Sequence, residues 1–155
     1  MTIRPAAAAA LAVLLFGATA FSPEVDARPR KSDALVFPDR NDPATFVLIR
    51  DLRINETVSN PEGDRFFILN TPQGTFEVPF ETVAEVEFLR LHSMEFLERA
   101  TYDARVVLPE HGVRFGTIEL RSLKGNAGRN PWHQLLMTRR ENAARLHRIL
   151  FIRTD

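Results

Sequence analysis

The chain has 155 residues, 20 basic and 20 acidic side chains, and no cysteine. That length suits one ordinary domain, and zero net charge argues against a bulk-basic nucleic-acid binder or an acidic tail protein. The missing thiols exclude disulfide scaffolds, Cys-ligated metal, thiol catalysis and cysteine-linked lipid, while a 45% hydrophobic content with 12 Phe suffices for a packed core.

Met1-Thr2-Ile3-Arg4 is a short positive segment, and Pro5 to Gly17 is an Ala/Leu/Val/Phe run. The run can engage a translocon but is short for a bilayer span. Ala18-Thr19-Ala20 is the small-x-small pattern of a signal-peptidase site, with a second candidate at Val25-Asp26-Ala27. Residues 1–20 therefore read as a cleaved signal peptide (alternative cut after 27), rather than a buried helix or an uncleaved anchor. The mature chain is expected to be periplasmic or secreted. Of the 20 basic residues 18 are Arg, which with the Ala-rich leader suggests a bacterium of high-GC coding.

Residues 21–44 hold Pro23, Pro29, Pro38 and Pro43 among charged residues and read as an extended tether. Within it Ala34-Leu35-Val36-Phe37 suits a docked edge strand. A single β-rich domain is expected over 45–155. Phe46, Leu48, Leu52 and Ile54 share parity, interrupted by Arg50. Arg65 to Leu69 is apolar on both faces, as in a central strand. Thr71-Pro72-Gln73-Gly74 is a turn, after which Phe76, Val78 and Phe80 alternate with polar residues. Val86 and Phe88 continue beyond a short turn at 81–84.

Glu85–Ala100 also fits helical spacing; the reading is a strand over 85–91 and a loop or helical turn over 92–100. Ala104, Val106 and Leu108, then Pro109-Glu110-His111-Gly112, then Val113, Phe115 and Thr117 signal a hairpin with Gly at its turn. Gly116 inside the returning strand predicts a bulge or sharp bend. Trp132–Thr138 and Leu146–Ile152 are two closing strands, with a short helix as the alternative over 143–148. The sum is seven or eight strands with at most one or two short helices: an all-β small barrel or sandwich. Phe76, Val78, Phe80, Val86, Phe88, Val106, Leu108, Ile118, Leu135 and Ile149 are the expected core. Phe→Ala at Phe76 or Phe88 should then cost about 3–5 kcal/mol.

Glu81-x-x-Ala84-x-Val86 before Phe88 echoes Glu141-x-x-Ala144-x-Leu146 before Phe151, a pattern that either two copies of a sheet-corner unit or chance would produce. The run Val106-x-Leu108-x-x-x-Gly112-x-x-x-Gly116-x-Ile118-x-Leu120 resembles the hairpin of Sm-like and other small barrels. The second Sm signature needs a glycine after an apolar and a basic residue, and Ile149 to Arg153 has none. The RNA-binding role of that family does not carry over, and no family is assigned.

Chemistry is sparse. His92, His111, His133 and His147 are the only histidines. Were the last two strands a hairpin, His133 would oppose Phe151 and His147 would oppose Met137, leaving the two histidines on the order of 13 Å apart. That is too far to share a metal. His92 and the adjacent Ser93 point to opposite faces. Glu77, Glu85 and Glu87 take the parity opposite to apolar neighbours, the wet face of a half-buried sheet. The HExxH, GxSxG and GxxxxGK spacings are absent. Asn55-Glu56-Thr57 is a sequon, relevant only in a eukaryotic secretory route. No catalytic, metal or cofactor residue is assigned.

Charge is segregated. Residues 33–98 carry 13 acidic and 5 basic groups, and residues 99–155 carry 11 basic and 5 acidic. Either the halves pack and neutralise one another, or the basic half steers an anionic partner. The Gly/Asn-rich stretch 124–131 reads as a flexible connection to the single tryptophan. Trp beside Arg is a common binding pair, and the candidate binding surface is Arg129, Trp132, His133, Arg139 and Arg140; the alternative is that Trp132 fills the core. The expected function is a non-catalytic interaction or assembly module of the envelope. A small-ligand or glycan-binding β-barrel and an unrecognised hydrolase are the alternatives. The partners that fit are an envelope protein or a polyanionic or glycan ligand, with room for peripheral membrane contact; export disfavours nucleic acid.

Overall fold

The computed structural model describes residues 31–95, 99–136 and 139–153. The signal-peptide reading of residues 1–20 and both cut sites lie outside them. The described residues form one curled, antiparallel, ten-stranded sheet, a half-barrel. The strands are β1 (Ala34–Phe37), β2 (Val47–Ile54), β3 (Phe66–Thr71), β4 (Gly74–Pro79), β5 (Glu85–Glu95), β6 (Arg99–Leu108), β7 (Gly112–Leu120), β8 (Ser122–Ala127), β9 (Asn130–Leu135) and β10 (Arg148–Phe151). Their order across the sheet is β4-β3-β7-β6-β5-β10-β1-β2-β8-β9. A 3₁₀ turn at Phe80–Thr82 and one helix, α1 (Arg140–Arg145), complete the described elements.

The all-β class follows from alternation. In β6 the residues Ala100, Tyr102, Ala104, Val106 and Leu108 are buried, and every intervening residue is partly exposed. A period of two on one wet-faced sheet produces this pattern. Their neighbours Val86, Phe88, Ile118, Leu120, Phe67 and Leu69 complete the concave face. Phe67, Phe80 and Phe151 pack at ring separations of 4.7 and 5.0 Å, and Phe88 lies 4.9 Å from Tyr102. Beyond the first residues of β1, an isolated bridge pairs Ile54 with Asp64, so the end of β2 meets the approach to β3 and the sheet curls.

Several expectations are corrected. There are ten strands among the described residues rather than seven or eight. Ala34–Phe37 is no edge strand: it lies between β10 and β2. Residues 92–95 extend β5 and β6 begins at Arg99, so the described part of 92–100 is strand rather than loop or helical turn; 96–98 lie outside the described residues. The helix expected over 143–148 sits at Arg140–Arg145 instead. The 124–131 stretch is the β8–β9 hairpin, with Gly128 at φ 65° in its two-residue turn. The closing strands do not pair with each other. β9 pairs with β8, while β10 lies between β1 and β5. Ile68 on the outer side of β3 is 38% exposed, because this single layer has no second sheet to cover it.

Two glycines are demanded by close approach. Gly116 pairs in unbroken register with Ala104, so it makes no bulge. A Cβ there would lie 2.4 Å from the Asn70 carbonyl oxygen and 2.9 Å from the Leu69 side chain. A Cβ on Gly125 would lie 2.4 Å from Ile49 Cγ2 and 2.7 Å from the Arg50 carbonyl oxygen. The true irregularity beside Gly125 is in β2, whose register against β8 shifts between Arg50 and Arg53. Asp51 there adopts φ 55°, a conformation that Asp tolerates better than most residues. Arg65 donates to both its carboxylate oxygens at 3.1 and 3.3 Å, and its N–H donates to Asp33 Oδ1 at 3.0 Å. This shift explains the broken parity of the segment: Ile49 is buried before it, and Leu52 and Ile54 after it, while Phe46 and Leu48 are exposed.

The helix is tied to the sheet by polar contacts. Arg40 Nε donates to the Ala144 carbonyl at 3.0 Å, and Arg40 Nη2 to Leu146 and Phe88. A guanidinium thereby caps carbonyls that the helix end leaves open. From below, the Tyr102 hydroxyl donates to the Ala143 carbonyl at 2.7 Å, and burial pushes its pKa up. The echo seen in the sequence has a structural counterpart. A helical turn precedes β5, α1 precedes β10, and these two strands are neighbours.

Candidate functional site

The five residues of the expected binding surface lie on two elements. Arg129 is exposed in the β8–β9 turn, and Trp132 and His133 are on β9, an edge strand. Arg139 and Arg140 are exposed at the start of α1. Trp132 is half-buried, packs on the core and pairs with Gly125, so its indole covers a position that has no side chain of its own. His133 Nε2 lies 3.7 Å from Glu56 Oε2, and Lys124 Nζ lies 2.6 Å from Glu56 Oε1. Lys124 also donates to the Pro61 carbonyl. This cluster fastens the loop between β2 and β3 onto the β8–β9 hairpin. The hydrogen bond from Lys124, aided by the charges of Lys124, His133 and Arg53, holds the Glu56 carboxyl below its ordinary 4.5 despite the opposing effect of burial.

The other histidines are dispersed. His92 Nδ1 lies 3.3 Å from Asp103 Oδ1, and the same carboxylate accepts from Arg90 Nε. His111 is in the β6–β7 turn, and His147 sets its ring edge-on to Phe37. His133 pairs with Lys124 rather than facing Phe151. Among the described residues, no three His, Cys, Asp or Glu side chains are grouped to hold a metal.

The acidic and basic halves interlock. Glu85 contacts Arg105 at 3.8 Å and Arg148 at 3.2 Å, and Glu87 contacts Arg105 at 3.5 Å. These carboxylates are on the outer face of β5, opposite basic residues on β6 and β10. Each is held by arginine, an arrangement unlike the free carboxylate pair that hydrolysis requires.

A concave cleft lies elsewhere, at the open end of the half-barrel between the β3–β4 and β6–β7 hairpins. Its volume is about 530 Å³. Leu69, Val78 and Leu108 form its apolar depth, with Phe76, Thr71, Gln73, His111 and, from β7, Val113, Arg114 and Phe115 around them. The hollow follows from the sequence of β7. The positions facing inward opposite Leu108, Val106 and Ala104 are Gly112, Arg114 and Gly116. Two of the three have no side chain, and Gly116 cannot gain one. At its inward positions here β7 thus offers only Arg114, and Phe76, which pairs with buried Leu69, remains 49% exposed.

Phe76 was expected in the core and is corrected to a wall of this cleft. Leu135, also expected there, is 40% exposed on β9. The other eight expected core residues are buried. Val113, Phe115 and Thr117, which signalled the returning strand of the hairpin, take the parity opposite to buried Ile118; Val113 is 43% and Phe115 59% exposed, and both border the cleft. The usable signal was a charge and two glycines on the parity continued by Ile118 and Leu120. A second, shallower furrow of about 460 Å³ crosses the outer face past Asn70, Pro72, Leu89, Asp103, Phe115 and Thr117.

No family model, curated protein or solved structure matches the chain.

Proposed function

We propose that this chain is an exported, non-catalytic binding module of the bacterial envelope that holds a small, largely apolar ligand in the open end of its half-barrel. One observation carries the reading: a large aromatic side chain, Phe76, stands half-exposed in a concave apolar cleft of about 530 Å³. That volume falls in the range of about 300–1,000 Å³ typical of small-ligand sites. The ion-paired carboxylates of the outer face and the scattered histidines favour binding over catalysis. The N-terminal address supports delivery across the inner membrane.

A titration with a neutral lipophilic dye, Nile red, tests the reading. Saturable one-site binding is expected, weakened about fivefold by Phe76→Ala, since half of a Phe side chain's burial corresponds to about 1 kcal/mol. Arg129→Ala on the opposite hairpin should leave it unchanged. Non-saturable binding, or equal affinity in Phe76→Ala, overturns it.

The second reading is a protein-assembly module, favoured by the exposed Leu89 and Phe115 beside the outer furrow. Crosslinking in envelope extract would then recover one stable partner, lost in Phe115→Ser and retained in Phe76→Ala.

A further inference from the structure

Arg114 is a cation at the rim of an apolar cleft, with no carboxylate partner among the described residues. It occupies the inward parity of β7, opposite buried Val106. Its Nη1 donates to the Val113 carbonyl at 3.2 Å and would lie 3.7 Å from a Cβ on Gly112, at the hairpin end. It joins no carboxylate among the described residues. Neither Glu110 in the exposed β6–β7 turn nor Glu77 on the outer parity of β4 makes an ion pair with it. Arg50, Arg53, Arg65, Arg90, Arg99, Arg105 and Arg148 are each within 4 Å of a carboxylate; among the described residues Arg114 shares the lack of one with Arg121, Arg129, Arg139 and Arg140 among others, and of these it is the one that lines the cleft. A guanidinium at the rim of an apolar cleft, with Nη1 on the Val113 carbonyl and no carboxylate partner among the described residues, can receive a planar carboxylate brought by a ligand.

Building on the cleft reading above, we infer that the ligand is an anionic amphiphile: one acyl chain lying along Leu69, Phe76, Val78 and Leu108, with its carboxylate on Arg114. Gln73 and His111 at the rim supply further polar contacts for the headgroup. The half-open shape suits a chain whose head stays in water. The volume suits a single chain rather than a bilayer surface.

The test displaces Nile red from the full-length mature chain with three probes of equal chain length: dodecanoate, dodecanol and dodecyltrimethylammonium. Dodecanoate is expected to displace at the lowest concentration. Arg114→Gln should weaken dodecanoate tenfold or more, the scale of a lost charge-assisted contact, while leaving dodecanol and the dye unchanged. Arg114→Lys should recover part of the loss. If the dye binds but the three probes displace it equally, or Arg114→Gln changes all or none of them, this inference fails and the cleft reading survives. If the dye does not bind, both fail. Co-sedimentation with phosphatidylglycerol vesicles in the absence of dodecanoate binding assigns Arg114 to a membrane surface and overturns the single-chain ligand.

Discussion

Phe76 and Phe88 make a matched pair that tests where the core ends. Both follow the alternating pattern of their strands, and Phe→Ala would look equally severe at either from sequence. In the structure Phe88 is fully buried with its ring against Tyr102. Its removal deletes a whole ring and leaves a closed void, which costs about 3–5 kcal/mol. Phe76 is 49% exposed. Complete burial of a Phe side chain contributes about 1.5–3 kcal/mol, so half-burial contributes about 1 kcal/mol, and water fills the space left behind. Urea denaturation followed by Trp132 fluorescence and by far-UV circular dichroism measures both variants on one scale. The slopes should match the parent, with midpoints separated by at least about 2 kcal/mol in free energy. Equal losses of about 3 kcal/mol or more would refute the reasoning, since the β3–β4 hairpin would then be capped and the cleft closed.

Two further outcomes are expected. Gly125→Ala should destabilise the fold by about 2–3 kcal/mol in the same assay, because its Cβ meets Ile49 and the Arg50 carbonyl across β2; a loss below about 0.5 kcal/mol would mean that β2 and β8 do not approach this closely. Glu56 has a lowered pKa in the folded state, so its contribution is complete above the ordinary carboxylate value of 4.5 and disappears as pH falls through the lower folded value. Glu56→Gln should lower stability near neutral pH and flatten that part of the acid-unfolding curve, whereas an unchanged curve would show that the contact with Lys124 contributes nothing.

Much of the fold was legible because burial on one face of a sheet imposes a period of two. The buried series Ala100 to Leu108, the turn at Pro109–Gly112 and the burial of Val86, Phe88 and Ile118 all follow from that rule. Parity failed where a register shift changes it without a local signal. Phe46 and Leu48 share parity with Leu52 and Ile54, yet Asp51 in a left-handed conformation puts the two pairs on different faces. The helical spacing of 85–100 misled because Leu91 and Met94 straddle a further shift in β5 and need no helix to reach the core. Pairing between distant strands was hidden for a different reason. β10 joins β1 and β5, and nothing local in Arg148–Phe151 distinguishes those partners from β9.

The candidate site was less legible. Trp132 and its arginines drew attention as a binding pair, but Trp132 covers Gly125 and contributes to packing. The cleft arises from Gly112, Arg114 and Gly116 facing Phe76 across a strand, a relation between β7, β3 and β4 that no single segment reveals.

By itself, the sequence determined the all-β class, most of the inward-facing residues, and a charge segregation that hides behind a net of zero. These properties are set residue by residue, by side-chain polarity and strand periodicity. Only the tertiary structure decided that Glu85 and Glu87 of the acidic half meet Arg105 and Arg148 of the basic half on the outer face, that the described strands curl into a half-barrel, and that Arg114 lines an open apolar cleft with no carboxylate partner among the described residues. Those outcomes depend on which strands meet, and strand pairing is fixed by the packing of the whole sheet.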